Sequence, residues 1–460
     1  MPARHLAITA IATLALLLTH NPASRAQNTP GPNIIFILAD DLGYGDLGCY
    51  GQKHIRTPHL DRMAREGMRF TQFYAGSTVC APSRSVLMTG LHTGHTPVRG
   101  NSKTTLPPGI TTIASLLKQA GYITGHFGKW GLGDPGSTGV PTKQGFDEFF
   151  GYLNHMHAHN NFPTHLFLGE QRYPLKNVVP DETAQGAGKA TVRAVFAPDL
   201  YTEQALQFIE RNRARPFFLY LAYTIPHANN EAGPDGMETP DYGPYARRKW
   251  PQPQKGLAAL ITRLDTYVGR VLNQLKRLKI DRNTLLLFSS DNGPHREGGN
   301  DPAFFQSSGP LRGIKRDLYE GGIRVPFIAR WPGVIPPGTV SSHIGSFQDM
   351  LSTFAEVAGL TPPPGTDSIS ILPTLRGQPG QQQHPYLYWE FHEQKGARAV
   401  RMGRWKGVRP QWHAPTQLFD LETDIGEQND LAAQHPDIVA KIEAIMKEAR
   451  TPSPEWPEPE

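Results

Sequence analysis

Apolar runs and amphipathic stretches alternate along the chain from residue 33 to residue 290. The run Asn33-Ile-Ile-Phe-Ile-Leu-Ala39 has the unbroken hydrophobicity of a strand buried on both faces. Residues 111–120 carry apolar positions at helical spacing and stop at Gly121, and residues 122–126 read as the next strand. Residues 199–211 are helical in pattern and lead into a second apolar run, 217–225. Leu257, Leu260, Ile261, Leu264, Val268, Val271, Leu275 and Leu278 then keep the i, i+3/i+4 spacing of a long amphipathic helix, and residues 284–290 are the strand after it. Strands alternating with helices in this order predict an α/β fold with a large, mostly parallel or mixed sheet sandwiched by helices.

The pattern changes near residue 365. Residues 376–384 are rich in Gly, Gln and Pro, as a linker is. Beyond them, 385–391, 399–408 and 416–421 read as short strands with turns between, and Ile438, Ile442 and Ile445 mark a helix after Pro436. A small C-terminal antiparallel sheet plus helix is expected there, which divides the chain into a main domain over 27–365 and an α+β subdomain over 366–460. The Pro-rich residues 451–460 read as a frayed end.

Residues 1–26 have a different character. Arg4 and His5 precede an apolar run over 6–18, too short for a membrane span of about 20 residues, and Ser24-Arg25-Ala26 offers small residues at the two positions a signal peptidase reads. An export signal is expected, and with it a periplasmic or secreted protein without a stable membrane span. Its removal takes Arg4 and Arg25 and no acid, so a net charge of +5 becomes +3. Spread over such a length this charge is too dilute to argue for nucleic acid. With 38% hydrophobic and 19% charged residues the chain can bury a core, and 2 cysteines exclude a disulfide-stapled scaffold or a zinc site built mainly of thiolates.

Three of the apolar runs end in conspicuous polar groups: Asp40-Asp41, Pro226-His227 and Asp291-Asn292-Gly293. Ligands in open α/β sheets bind beyond the carboxyl ends of the strands, so these groups can converge across some 250 positions of sequence. Each alone reads as a cap or turn; together they read as a site. Their oxygens suit a hard cation such as Ca²⁺, or Mg²⁺. Cys80 stands in Ser77-Thr-Val-Cys-Ala-Pro-Ser-Arg-Ser85, where it is a buried small hydrophobe, half of a disulfide with Cys49, or a reactive group beside Arg84.

The segment Cys80-Ala-Pro-Ser-Arg84, followed by Ser85 and Thr89-Gly90, resembles the Cys-x-Pro-Ser-Arg signature of the type I sulfatases of the alkaline-phosphatase-like superfamily. Pro32-Asn-Ile-Ile-Phe-Ile-Leu-Ala-Asp-Asp41, Gly128-Lys-Trp130, Pro226-His227, Ser290-Asp-Asn-Gly293, the run from Gly313 to Pro326 and Leu418-Phe-Asp-Leu421 follow in that family's order. The resemblance implies that a separate maturase oxidises Cys80 to formylglycine (3-oxoalanine). One hydroxyl of its hydrate attacks the sulfur of a sulfate ester and expels the alcohol. The other then loses its proton, so that the adduct collapses to the aldehyde and inorganic sulfate. It also implies that Asp40, Asp41, Asp291 and Asn292, with the modified Cys80, hold a divalent cation, calcium in most of the family. Arg84 would orient the diol, and Lys129, His227 and Lys315 would surround the sulfate and leaving oxygens. The substrate implied is an aryl or carbohydrate sulfate, small molecule or glycan, cleaved by a sulfuric ester hydrolase.

In one place the chain departs from the pattern. Where many relatives read Gly-Lys-Trp-His-Leu-Gly, this chain has Gly131 in place of the histidine. The run Asn154-His-Met-His-Ala-His159 supplies three histidines nearby, and His159 is expected to act as the base, with Lys129 or Asp291 as the other candidates. His295 and Arg296, just after the cation ligands, are expected to face the substrate entrance. Two other functions compete: a phosphatase or phosphodiesterase on the same scaffold, which would call for a Ser or Thr nucleophile and a two-metal Asp/His set, and a non-catalytic binder of sulfated glycans, which would call for a broken site.

Overall fold

The computed structural model of the protein describes residues 31–102 and 105–459, together with Met1. The export segment read at 1–26 otherwise lies outside the described residues. Ten strands form one sheet. From edge to edge they run Thr339–Ser341, Met68–Phe70, Phe327–Arg330, Thr284–Ser290, Asn33–Asp40, Phe217–Pro226, Ile123–Lys129, Glu148–Tyr152, His165–Leu168 and Gln171–Pro174. The five strands from Thr284–Ser290 to Glu148–Tyr152 are mutually parallel, and antiparallel strands flank them on both sides. The sheet is therefore mixed with a parallel centre, as the alternation of patterns predicts.

Every residue of Asn33–Asp40 is buried, because both faces of the sheet are covered. Ile35, Ile37 and Ala39 point into one apolar cluster with the helices Pro58–Arg65, Ala197–Asn212 and Gln252–Arg277. Ile34, Phe36 and Leu38 point into the other, with Cys80–Thr89, Ile113–Gln119 and Asp349–Val357. A strand whose alternate residues serve two cores shows no polar period in its sequence, and that is the run the pattern displays. Each fully buried Leu, Ile or Phe in these layers contributes about 1.5–3 kcal/mol to folding.

The C-terminal strands Leu387–Phe391, Ala397–Met402, Trp405–Arg409 and Gln417–Asp420 form a second, antiparallel sheet. One of its faces carries the helix Pro436–Glu448 through Ile442 and Met446. The other packs on Tyr74, Val79, Leu318 and Ile323 of the main layer. Two expectations are corrected here. The stretch 399–408 is a hairpin rather than one strand: the chain reverses at Gly403, whose φ of +57° favours glycine. Residues 451–459 are not frayed, since the Trp456 indole is buried, covers Gly100 and donates from Nε1 to the Pro97 carbonyl at 2.8 Å.

Candidate active site

The parallel strands deliver their carboxyl ends to one edge of the sheet. Asp40 ends Asn33–Asp40, Lys129 ends Ile123–Lys129, and Asp291 and His227 follow Thr284–Ser290 and Phe217–Pro226 directly. Close packing of two of these ends depends on Gly128. A Cβ there would stand 1.9 Å from the Ala222 carbonyl oxygen, and its φ is +105°. Two turns are pinned together from far apart in sequence: the Asp41 amide donates to Asp291 Oδ1 at 3.1 Å and the Leu42 amide to Ser290 Oγ at 2.8 Å. Asp41 takes a left-handed φ of +66°, which Asp tolerates better than most residues.

Cys80 opens the buried helix Cys80–Thr89, and Arg84, one turn on, shares its face. The thiol lies 3.6 Å from Asn101 Oδ1, which also accepts from the Ala81 amide at 3.1 Å. Arg84 donates to Asp291 Oδ2 from Nε at 3.0 Å and Nη2 at 2.8 Å, and to the Lys129 carbonyl from Nη1 at 2.7 Å. Lys129 Nζ donates to Asp40 Oδ2 at 2.7 Å. Lys315, on the loop before Glu320–Ile323, donates from Nζ to Asp41 Oδ2 at 2.8 Å and to His227 Nε2 at 3.0 Å. Three buried cations thus pair with three buried carboxylates beside one cysteine.

The protonation states follow from this pairing. His227 Nδ1 lies 2.6 Å from the Ala228 carbonyl and so carries the proton, which leaves Nε2 to accept from Lys315. Burial and then the Lys315 and Lys129 charges push its pKa well below the usual range, so the ring is neutral. Burial works against the Lys315 and Lys129 ammonium groups, but the carboxylates of Asp41 and Asp40 override it and raise both pKa values. Burial likewise opposes ionisation of Asp40, yet Lys129 and Arg84 hold its carboxyl below the usual range. Burial pushes the Cys80 thiol up.

Asp40, Asp41, Asp291 and Asn292 stand together: Asn292 Nδ2 donates to Asp41 Oδ1 at 2.7 Å, and Arg84 bridges Asp291 to Asp40, at 3.8 Å. Two oxygens of this group, Asp40 Oδ1 and Asn292 Oδ1, are buried and accept no hydrogen bond. Unfilled lone pairs on an all-oxygen donor set fit a hard divalent cation.

The histidine run divides. His157 is buried against Tyr152 and His165, with ring centroids 4.9 and 4.6 Å away, and belongs to the core. His155 is half-buried, with Cβ 3.6 Å from where a side chain on Gly131 would begin, and burial and Lys129 lower its pKa to about 3. His159 stacks on His227, centroids 4.9 Å apart and planes at 10°, while its Nδ1 lies 3.2 Å from Glu231 Oε1. His295 differs from expectation. Its ring is buried behind His227, with Nε2 3.2 Å from the Pro226 carbonyl, because the chain turns inward after Gly293. Arg296 alone of that pair is exposed.

Cys49 and Cys80 are both unpaired, so the disulfide alternative falls away; burial pushes the Cys49 thiol up to about 12, and it packs on the core. Sequence reasoning missed Asn101, Glu231 and Glu297. Glu297, 3.7 Å from Lys315 Nζ and paired with Arg316, has a partial signal in its place two residues after His295. Among the described residues no helix is long and apolar enough to cross a membrane.

Comparison with known proteins agrees with this geometry. The family described as Sulfatase matches residues 32–360, and N-sulphoglucosamine sulphohydrolase, C-terminal, matches 314–451. The chain is 31% identical to the N-acetylgalactosamine-6-O-sulfatase of Bacteroides thetaiotaomicron over 92% of this chain and 94% of that one. It is 30% identical to the steryl-sulfatase of Mus musculus, over 95% and 85%. Among solved structures, Ps i-CgsB in complex with k-i-k-neocarrahexaose superposes with a TM-score of 0.74 at 30% identity, covering 93% of this chain and 95% of that one. A Bacteroides thetaiotaomicron structure from work on the metabolism of multiple glycosaminoglycans superposes at 0.75 with 27% identity, over 91% and 99%.

Proposed function

We propose, from the premise that the chain belongs to the type I sulfatases of the alkaline-phosphatase-like superfamily and is a sulfuric ester hydrolase, that its nucleophile is formylglycine made from Cys80 by a maturase. The observation that carries this reading is the set of three cation–carboxylate pairs, Arg84–Asp291, Lys129–Asp40 and Lys315–Asp41, around Cys80. Preorganised cations in a water-poor site stabilise an anion in the transition state without reorganising, which is the need of sulfuryl transfer.

Within this reading Arg84 orients the nucleophilic hydroxyl and Lys129 faces a sulfate oxygen. Lys315 stabilises or protonates the leaving oxygen, since it holds the protons and neutral His227 accepts from it. His159 takes the proton that frees the product, its ring oriented by Glu231 as a carboxylate orients an imidazole in a triad. It thereby occupies the role left open at Gly131. Asp40, Asp41, Asp291 and Asn292 would hold a divalent cation, Ca²⁺ by family and Mg²⁺ as the other hard ion that suits oxygens; when bound it would acidify a neighbouring hydroxyl and offset negative charge. Among the relatives' names, N-acetylgalactosamine-6-sulfatase supports a carbohydrate sulfate as substrate, whereas steryl-sulfatase names another alcohol. Residues 1–26 direct the protein out of the cytoplasm, so that it works in the periplasm or the medium.

Mass spectrometry of the Cys80 peptide, from the native host or one supplying the maturase, tests the mechanism. Conversion of the thiol to the aldehyde removes about 18 Da. A peptide that stays entirely thiol in such a host sinks the reading. A panel of aryl and sugar sulfates, with fractionation for the location, tests the remainder.

A further inference from the structure

We propose that the cavity bounded by residues 45–54 and 296–314 binds the saccharide units of a sulfated oligosaccharide beyond the one that carries the scissile ester. This rests on the sulfatase reading of the Cys80 centre and deepens it by naming a polymeric, anionic substrate. The cavity has a volume of about 1060 Å³. A drug-sized ligand fills about 300–1000 Å³, so there is room for several pyranose rings.

Its walls have one sign of charge. Lys53, His54 and Arg296 line it, and no Asp or Glu does. Among the described residues neither Lys53 nor Arg296 has a carboxylate within 4.0 Å, so both side chains keep their donors for an occupant. Lys53 and Arg296 outweigh Asp317, the one acid of the adjoining recess, and favour an anionic occupant. The apolar side is aromatic. Phe304 is 41% exposed, and its ring is braced edge-on by Phe305, at 4.8 Å, and Trp250, at 6.1 Å. A rigid, exposed ring offers the flat contact that the C–H face of a sugar matches, at little entropy cost.

The cavity also adjoins the reaction centre. A second recess of about 470 Å³ is lined by Lys315, Arg316, Asp317 and Gln394, and it shares Arg296 and Ile314 with the first. An occupant with its ester at Lys315 therefore extends past Arg296 toward Lys53 and Phe304.

Binding to the full chain carrying Cys80→Ala, measured by calorimetry, separates this proposal from turnover. The probes are tetrasaccharides of chondroitin 6-sulfate and of carrageenan, each against its sulfated monosaccharide, and a sulfotyrosine peptide. At least one tetrasaccharide should bind about tenfold or more tighter than its monosaccharide. Phe304→Ala and Lys53→Gln should each remove most of that gain and leave monosaccharide binding unchanged. Tetrasaccharides no tighter than monosaccharides, a gain that survives both substitutions, or a preference for the peptide would overturn it. The sulfatase reading fails separately, if the parent protein keeps a Cys80 thiol and turns over neither a sugar sulfate nor 4-nitrophenyl sulfate.

Discussion

Replacing Glu320 by Gln should destabilise the protein severely, although the side chain touches no substrate. Glu320 opens the short helix that follows the Lys315 loop, and it is buried. Its Oε1 accepts from Lys406 Nζ at 2.8 Å, and its Oε2 accepts from the Tyr74 hydroxyl at 2.7 Å and from Arg324 Nη1 at 3.1 Å. Lys406 lies on the small sheet, so one carboxylate ties that sheet to the main layer. Glutamine keeps the shape but loses the charge and turns an amide N–H toward a cation. Removing one partner of a buried pair costs about 3–5 kcal/mol, and the lower end applies because Lys406 keeps Glu427 at 3.3 Å as a second carboxylate. Burial opposes the Glu320 charge, but Lys406, Arg324 and Arg401 override it and hold the pKa at about 2, against an ordinary 4.5. A depressed folded pKa gives stability that is present above the unfolded value and lost as pH falls through the folded one. The deficit of Glu320→Gln in urea unfolding should therefore be full at pH 7 and shrink from pH 4.5 toward 2. A loss under about 1 kcal/mol at pH 7, or a deficit that persists unchanged through acid, would refute the reasoning.

His159→Ala should lower kcat on a sulfate ester by about 10²–10⁴-fold, with a smaller fall for Glu231→Gln. Unchanged turnover in His159→Ala would remove it from the mechanism. Chelation by EDTA should lower the thermal midpoint and Ca²⁺ restore it, because a ligand of the folded state alone stabilises by mass action; an unmoved midpoint counts against the four oxygen residues as a cation site. Arg84→Gln should cost about 3–5 kcal/mol, measured by chemical denaturation, since it leaves Asp291 buried and unpaired.

How far the sequence could be read depended on how many faces each element buries. The strands Asn33–Asp40, Phe217–Pro226 and Thr284–Ser290 are buried throughout, so their runs stand out, and the polar groups that end them converge at the candidate site. The helix Cys80–Thr89 escaped because all ten of its residues are buried, which erases helical periodicity. Glu148–Tyr152 escaped because it is short and interrupted by Gly151, although it is part of the parallel centre. The alternation in His155, His157 and His159 suggests one face, but the turn His157–His159 sends His157 into the core and leaves His159 against His227. Adjacency misled at His295: two residues beyond Gly293 the chain has turned behind the site.

The pairing of charges at the centre is a poor way to stabilise a fold. Three carboxylates and three cations lose water together, and apolar residues of similar volume in place of such pairs are often neutral or stabilising by about 1–4 kcal/mol. What the pairs provide is orientation. Asp40 and Asp41 each leave their cation with N–H groups still to donate, for an ammonium carries three and Lys129 gives one to Asp40 while Lys315 gives one to Asp41 and one to His227. Arg84 is fixed by three bonds to two partners and has no rotamer to search. Each cation faces a carboxylate, with burial and Asp40 raising the Asp291 pKa to about 7, so the pairs by themselves exert little long-range pull on an anion. The unpaired cations Lys53 and Arg296 stand outside that balance and lie toward solvent. In the proposed mechanism attraction and transition-state stabilisation fall to different residues, so salt should weaken capture of an anionic substrate far more than it weakens the chemical step.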